Sequence, residues 1–217
     1  MKNIRLQIAV SLMTLVSAVP SVALAQAEVE QWGRFEQTFK GPSEGNPFTD
    51  VQLKAAFWRT DTTDTLRIDG FYDGDGRYVL RFMPTAPGEW RYRTESNVPA
   101  LAGRTGSLRC VAAMTNHGPV GVRGTHAFRY ADGTPYWPVG TTAYAWIHMP
   151  ADVQQQTLAS LEAARFNKLR MCVFPKNYAL CKEEPEMYPF PVKEGPDGTR
   201  TFDVSRFDPA FFRHLER

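Results

Sequence analysis

The run Lys168 to Phe174 sets Leu169, Met171 and Val173 against Arg170, Cys172 and Phe174 in strict alternation. Arg170 therefore holds a polar position within an otherwise apolar strand pattern. A guanidinium buried there requires anionic or carbonyl partners. Two roles meet that need: bracing an acidic group in a functional site, or ordering loops from within the core. A second uncharged run, Val139 to Trp146, ends in Tyr144 and Trp146, with His148 just beyond. Aromatic faces suit the C–H faces of sugars, and an imidazole can hydrogen-bond a hydroxyl or a carboxylate. The alternative has Tyr144 and Trp146 capping an apolar interior and His148 solvated in a loop. Lys176, Asn177 and Tyr178 follow the Arg170 run. They could reach an acidic or hydroxyl group on a substrate, or be solvated like most polar loop residues.

Other clusters carry less chemistry. Asp73-Gly74-Asp75-Gly76 begins as a calcium loop does, but Leu80 to Pro84 supplies apolar strand where further oxygen ligands are needed. A tight hairpin turn is the expected outcome, since aspartate and glycine tolerate positive φ. The acidic run Lys182 to Glu186 reads as a solvated loop. Trp32, Trp58 and Trp90 fall in strand-like runs, where core packing outweighs sugar binding. No nucleophile elbow, phosphate loop or metal-ligand cluster is present, so no metal and no cofactor are expected. The formal charge of +2 is spread over interleaved acids and bases, which argues against nucleic acid or anionic membrane as a partner. Oligomeric state is left open.

The elements that must position these residues fall into two kinds. Trp32 to Phe39, Leu53 to Arg59, Leu66 to Tyr72, Tyr78 to Phe82, Trp90 to Thr94 and Gly106 to Val111 read as short strands between turn residues. Such spacing without a helical period predicts a β-sandwich over residues 29–113. After the linker Asn116 to Pro119, Phe128 to Tyr130 and Pro135 to Trp137 form a hairpin pattern. Val139 to Trp146 then reads as a strand buried on both sides. A helix follows, opened by Pro150 and Asp152 and stopped at Asn167 in a left-handed conformation. With Lys168 to Phe174 this makes a βαβ unit and implies a parallel sheet. Pro175 to Asp203 is expected to be a loop at the carboxyl end of that sheet, where ligands bind. A last helix is capped by Asp208, with Pro209 in its first position and Phe211, Phe212 and Leu215 on one face. It has little more than two turns, and a two-stranded parallel sheet has nothing to cover it. A truncated domain over 114–217 is the expectation.

The amino terminus has the layout of a secretory signal over residues 1–25: Lys2 and Arg5, an apolar stretch from Ile8 to Val19, Pro20, then Ala23-Leu24-Ala25. Cleavage after Ala25 and a secreted or periplasmic location are expected. The stretch is too short and too interrupted to span a membrane. Cys110, Cys172 and Cys181 cannot all pair with one another. A Cys172–Cys181 link is open, and buried thiols are the default.

Several longer motifs carry a resemblance. Trp32 to Glu36, Gly41-Pro42-Ser43-Glu44-Gly45-Asn46-Pro47-Phe48, Gly70-Phe71-Tyr72-Asp73-Gly74 and Arg81-Phe82-Met83-Pro84 resemble the immunoglobulin-like amino-terminal domain of bacterial apiosidase-like glycoside hydrolases. Val139 to Trp146 and Phe166 to Lys176 resemble the start of the barrel that follows it in that family. The resemblance implies a multidomain chain: an all-β immunoglobulin-like sandwich followed by the beginning of a (β/α)8 TIM barrel. It also implies cleavage of glycosidic bonds in plant or algal polysaccharide fragments, with a carbohydrate as partner. The family's acid/base and nucleophile sit on the fourth and seventh barrel strands, so no catalytic residue is assigned here. Tyr144, Trp146, His148, Arg170 and Lys176 are the candidate substrate-binding residues. In that clan an arginine at the position of Arg170 supports the nucleophile's carboxylate. A non-catalytic carbohydrate-binding module and a sandwich that only docks against a barrel are the competing functions. The chain by itself is expected to be inactive and poorly soluble, because half a barrel exposes apolar sheet edges.

Overall fold

The computed structural model describes residues 26–174 and 184–217. The signal segment, Lys176, Asn177, Tyr178 and any Cys172–Cys181 link lie outside the described residues.

Alternating apolar and polar residues make the first part of the chain a series of half-buried strands. They are β1 (Ala27–Glu30), β2 (Phe35–Lys40), β3 (Leu53–Arg59), β4 (Thr65–Asp69), β5 (Phe71–Tyr72), β6 (Arg77–Phe82), β7 (Gly88–Ser96) and β8 (Thr105–Val111). A single helical turn, α1 (Pro47–Asp50), interrupts the long loop after β2. One sheet has the order β1-β8-β7-β3-β4 and the other β2-β6-β5. Within β7, Trp90, Tyr92 and Thr94 are buried while Glu89, Arg91, Arg93 and Glu95 face water. Side chains of the two sheets meet in one core, where Phe57 of β3 stacks on Phe82 of β6 at 4.0 Å between ring centroids. Phe35, Leu80, Leu101, Leu108 and Cys110 complete it. Burying each such aromatic or aliphatic side chain contributes roughly 1.5–3 kcal/mol.

Two details depart from the sequence pattern. Leu66 to Tyr72 is not one strand: β4 pairs with β3 and β5 pairs with β6, so the chain changes sheets at Gly70. A Cβ at Gly70 would stand 2.7 Å from Leu53 Cδ2 and 2.9 Å from the Val79 carbonyl oxygen, so the crossing is too tight for a side chain. Trp32 does not open β2 either. It sits in the turn between β1 and β2 with φ of 62°. Trp58 is half-buried, and only Trp90 of the three tryptophans belongs to the core. The hairpin turn at Asp73 to Gly76 forms as expected, with positive φ at Gly74, Asp75 and Gly76.

The second part is built from smaller sheets. β9 (Val120–Arg123), β10 (Ala127–Tyr130) and β11 (Pro135–Tyr136) make an antiparallel sheet in the order β11-β10-β9. The expected hairpin is β10–β11, and β9 adds an exposed strand. β12 (Gly140–Thr142), α2 (Ala151–Ala163) and β13 (Lys168–Arg170) then form a β-α-β unit, with β12 and β13 parallel in the register Thr141↔Leu169. Both strands are shorter than their patterns suggest. After Thr142 the chain turns and forms a 3-10 segment, Trp146–His148, so Val139 to Trp146 is not a strand buried on both sides. Asn167 is not left-handed. Its Oδ1 accepts from the Val139 amide at 2.8 Å and its Nδ2 donates to the Trp137 carbonyl at 2.9 Å, tying the start of β13 to the start of β12.

The stretch expected to be a loop contains a hairpin, β14 (Val192–Glu194) and β15 (Arg200–Phe202). The chain closes on α3 (Pro209–Glu216), whose cap is Asp208 accepting from the Ala210 amide, as its sequence predicts. Among the described residues the parallel pairs are β1–β8 in the first part and β12–β13 in the second, and no barrel is formed. The fold is thus mostly β, in several sheets with few helices.

Candidate functional site

The parallel pairing continues irregularly past the strand ends. The Ala143 amide donates to the Arg170 carbonyl at 3.0 Å, and the Cys172 amide donates to the Tyr144 carbonyl at 2.8 Å. That register brings Tyr144 and Arg170 together, with the guanidinium 5.3 Å from the ring centroid. Both side chains are exposed. Among the described residues the expectation of a buried guanidinium is not met: β13 pairs with β12 alone, and Arg170 has solvent and an aromatic face around it. Trp146 is half-buried, and its Nε1 donates to the Gln154 carbonyl at 3.1 Å, which holds it against α2.

His148 is not solvated in a loop. It is buried, its ring stacks on Phe211 of α3 at 5.7 Å, and its Nε2 lies 3.1 Å from the Val173 carbonyl. Since a carbonyl only accepts, Nε2 carries the proton. Nδ1 is left buried with no partner among the described residues. Burial pushes the imidazole pKa down, and the Val173 contact opposes this more weakly. The candidates thus divide: Tyr144 and Arg170 share an exposed edge, while Trp146 and His148 brace α2 and α3.

A second feature joins distant parts of the chain. Between the β2-β6-β5 sheet and α3 lies a cavity of about 500 Å³, within the ordinary range for ligand pockets. Phe48, Phe71 and Tyr72 line it from the two-sheet part, and Phe174, Phe207 and Phe212 from the other side. Its polar rim is a set of ion pairs. Arg81 donates to Glu36 at 2.7 Å and to Glu216 Oε2 at 2.8 Å. Arg213 donates to the Asp73 carbonyl at 2.6 Å and to its carboxylate at 3.1 Å. The Arg81 guanidinium holds the Glu216 carboxyl below its ordinary pKa, against a smaller opposing effect of burial. Below the cavity, Asn46 Nδ2 donates to the Ser205 carbonyl at 3.0 Å and Arg206 donates to the Gly45 carbonyl at 2.9 Å. The apolar face of α3 was visible in the sequence, but its partner surface was not. Among the described residues no three His, Cys, Asp or Glu side chains gather as a metal site.

A two-sheet β domain linked to a β-α-β unit is the class this fold defines. Residues 28–97, from β1 through β7, match a family described as a domain of unknown function, DUF5060. No curated protein matches the chain. Among solved structures, a candidate glycoside hydrolase from Bacteroides vulgatus is similar at 50% identity and a TM-score of 0.82, over 88% of this chain and 38% of that one. The similarity falls on the amino-terminal part of that protein, and this chain spans less than two-fifths of its length.

Proposed function

We propose that the chain is the front of an exported glycoside hydrolase acting on polysaccharide-derived glycans. In this reading residues 29–113 form an immunoglobulin-like sandwich and residues 114–217 begin a (β/α)8 barrel. The observation that carries it is the 50% identity to the amino-terminal part of a candidate glycoside hydrolase, extending across both parts of the fold. The parallel β12-α2-β13 unit is the repeat from which such a barrel is built.

Within that reading the two catalytic carboxyls belong to later strands. They flank the scissile bond about 5 Å apart in a retaining enzyme and farther apart in an inverting one. The residues present then serve recognition. Tyr144 offers an aromatic face, and Arg170 beside it offers fixed N–H donors at the carboxyl end of the parallel pair. Lys176, the next basic residue along the sequence, would serve in the same way. Residues 1–25 would act as a cleaved export signal.

The test is expression of the longer reading frame alongside residues 26–217, with release of reducing ends scored on a panel of plant and algal polysaccharides. Activity is expected from the longer protein and not from residues 26–217. Inactivity of the longer protein across the panel would remove the hydrolase reading. Turnover by residues 26–217 would remove the assignment of the carboxyls to later strands. Sequencing the exported protein's amino terminus tests the signal, with Gln26 expected first.

A further inference from the structure

We propose that the cavity between the β2-β6-β5 sheet and α3 binds a neutral sugar ring, so that the sandwich forms one wall of the substrate cleft. The proposal rests on the hydrolase reading and adds to it a site away from the Tyr144–Arg170 edge.

Three observations support it. The first is exposure. Phe71 is 37% exposed, Phe207 45% and Phe174 51%, so three phenylalanines are left open around one cavity. Single exposed apolar side chains are ordinary, but a group around a concave surface marks a binding site. The rings are also set in order. Phe174 stacks on Phe190 with 8° between planes, and Phe190 stacks on Phe207 with 20°, giving a rigid aromatic ladder beside the opening. Flat faces of this kind accept the C–H face of a sugar with little loss of side-chain freedom.

The second observation is charge. Among the lining residues Arg81 and Arg213 are matched by Asp73 and Glu216, each arginine paired with one of the two carboxylates. The rim therefore presents fixed N–H donors and carboxylate acceptors with no net charge. Hydroxyl groups can use both kinds. A uronic acid brings a carboxylate that finds no unpaired cation among these residues, and its desolvation is uncompensated.

The third is position. Phe174 stands just past the carboxyl end of β13 and lines the cavity together with Phe71 of β5. The carboxyl end of a parallel sheet is the edge at which α/β proteins bind ligands. A glycan lying across that edge would continue onto the sandwich.

The experiment measures binding of cellohexaose, xylohexaose, mannohexaose and, as the acidic probe, hexagalacturonate to the dilute chain by thermophoresis. At least one neutral hexaose is expected to bind, with affinity falling tenfold or more in Phe71→Ala and in Phe207→Ala. Trp137→Ala, at an exposed site outside the cavity, should leave affinity unchanged. Melting curves exclude variants that fail to fold, and Phe71→Tyr keeps the ring should alanine unfold the chain. No neutral hexaose bound, binding insensitive to both alanine variants, or preference for hexagalacturonate would each overturn the proposal. Hydrolysis by the longer protein is scored separately. Cleavage with unchanged KM in both alanine variants refutes the subsite and leaves the hydrolase reading standing. Cavity-dependent binding without any hydrolysis supports the subsite and refutes that reading.

Discussion

Arg81 of β6 grips Glu216 of α3 with both terminal nitrogens of its guanidinium, while its Nε takes Glu36 of the neighbouring strand β2. One arginine thus ties the last helix to the three-stranded sheet. The Arg81 side chain is 32% exposed and that of Glu216 40%, so the pair is screened, and bidentate geometry sets it above an ordinary surface ion pair.

A double-mutant cycle on Arg81→Ala and Glu216→Gln should give a coupling of about 0.5–1.5 kcal/mol. The pair also makes stability depend on pH. Glu216 has its pKa lowered in the folded chain, so its contribution is complete above the unfolded value of about 4.3 and is lost as pH falls through the folded one. The melting temperature should fall on acidification through that window, and less steeply in Glu216→Gln. Identical acid profiles for the two proteins would show that the pair contributes nothing.

Phe57 is fully buried and stacks on Phe82 of the other sheet. Phe57→Ala should cost about 3–5 kcal/mol in urea unfolding, through lost burial and the cavity left behind. Phe57→Leu should cost distinctly less. A loss below about 1 kcal/mol for alanine would mean that the two sheets do not share this core.

The mostly β character of the first part was legible because its strands alternate cleanly. Trp90, Tyr92 and Thr94 against Glu89, Arg91 and Arg93 leave one face to bury. Alternation does not say which sheet a strand joins, so the change of sheet at Gly70 was invisible. It depends on the approach of Leu53 and Val79 from elsewhere in the chain. The pattern also overran the parallel strands. Apolar residues continue to Trp146 and Phe174, but β12 ends where the backbone turns at Ala143, and β13 loses its ladder with it. For the candidate site, sequence brought out Tyr144 and Arg170, which the register does place together. It gave His148 the wrong surroundings, because Phe211 lies far along the chain. The cavity had no local signature at all, since Phe71 and Arg81 meet Phe212 and Glu216 only in the folded molecule.

His148 yields a prediction of its own. Its pKa is lowered in the folded chain, so its neutral form contributes fully above the unfolded value of about 6.5, and that contribution is lost as pH falls through the folded one. Stability should therefore decline as pH is lowered from about 7 toward 5. In His148→Phe this part of the decline should vanish. The variant keeps the stack on Phe211 and removes the unpartnered Nδ1, while losing the bond to the Val173 carbonyl. Its net cost at neutral pH should stay below about 1.5 kcal/mol. A His148→Phe protein that retains the full decline between those pH values would place the titrating group elsewhere.

Arg170 separates a structural from a functional role most sharply. Its guanidinium is exposed and lies over the Tyr144 ring, so Arg170→Lys removes little packing. The change in unfolding free energy of this chain should stay within about 0.5 kcal/mol. In the longer protein the expectation is different. Lysine is a point charge and cannot reproduce the planar fork with which arginine orients a carboxylate. If Arg170 braces a catalytic carboxylate supplied by a later strand, kcat should fall by on the order of tenfold or more, with KM changing less. Turnover unchanged in Arg170→Lys would assign the residue to the surface of the fold. A rise in KM with kcat unchanged would assign it to substrate recognition beside Tyr144, with no part in supporting the nucleophile.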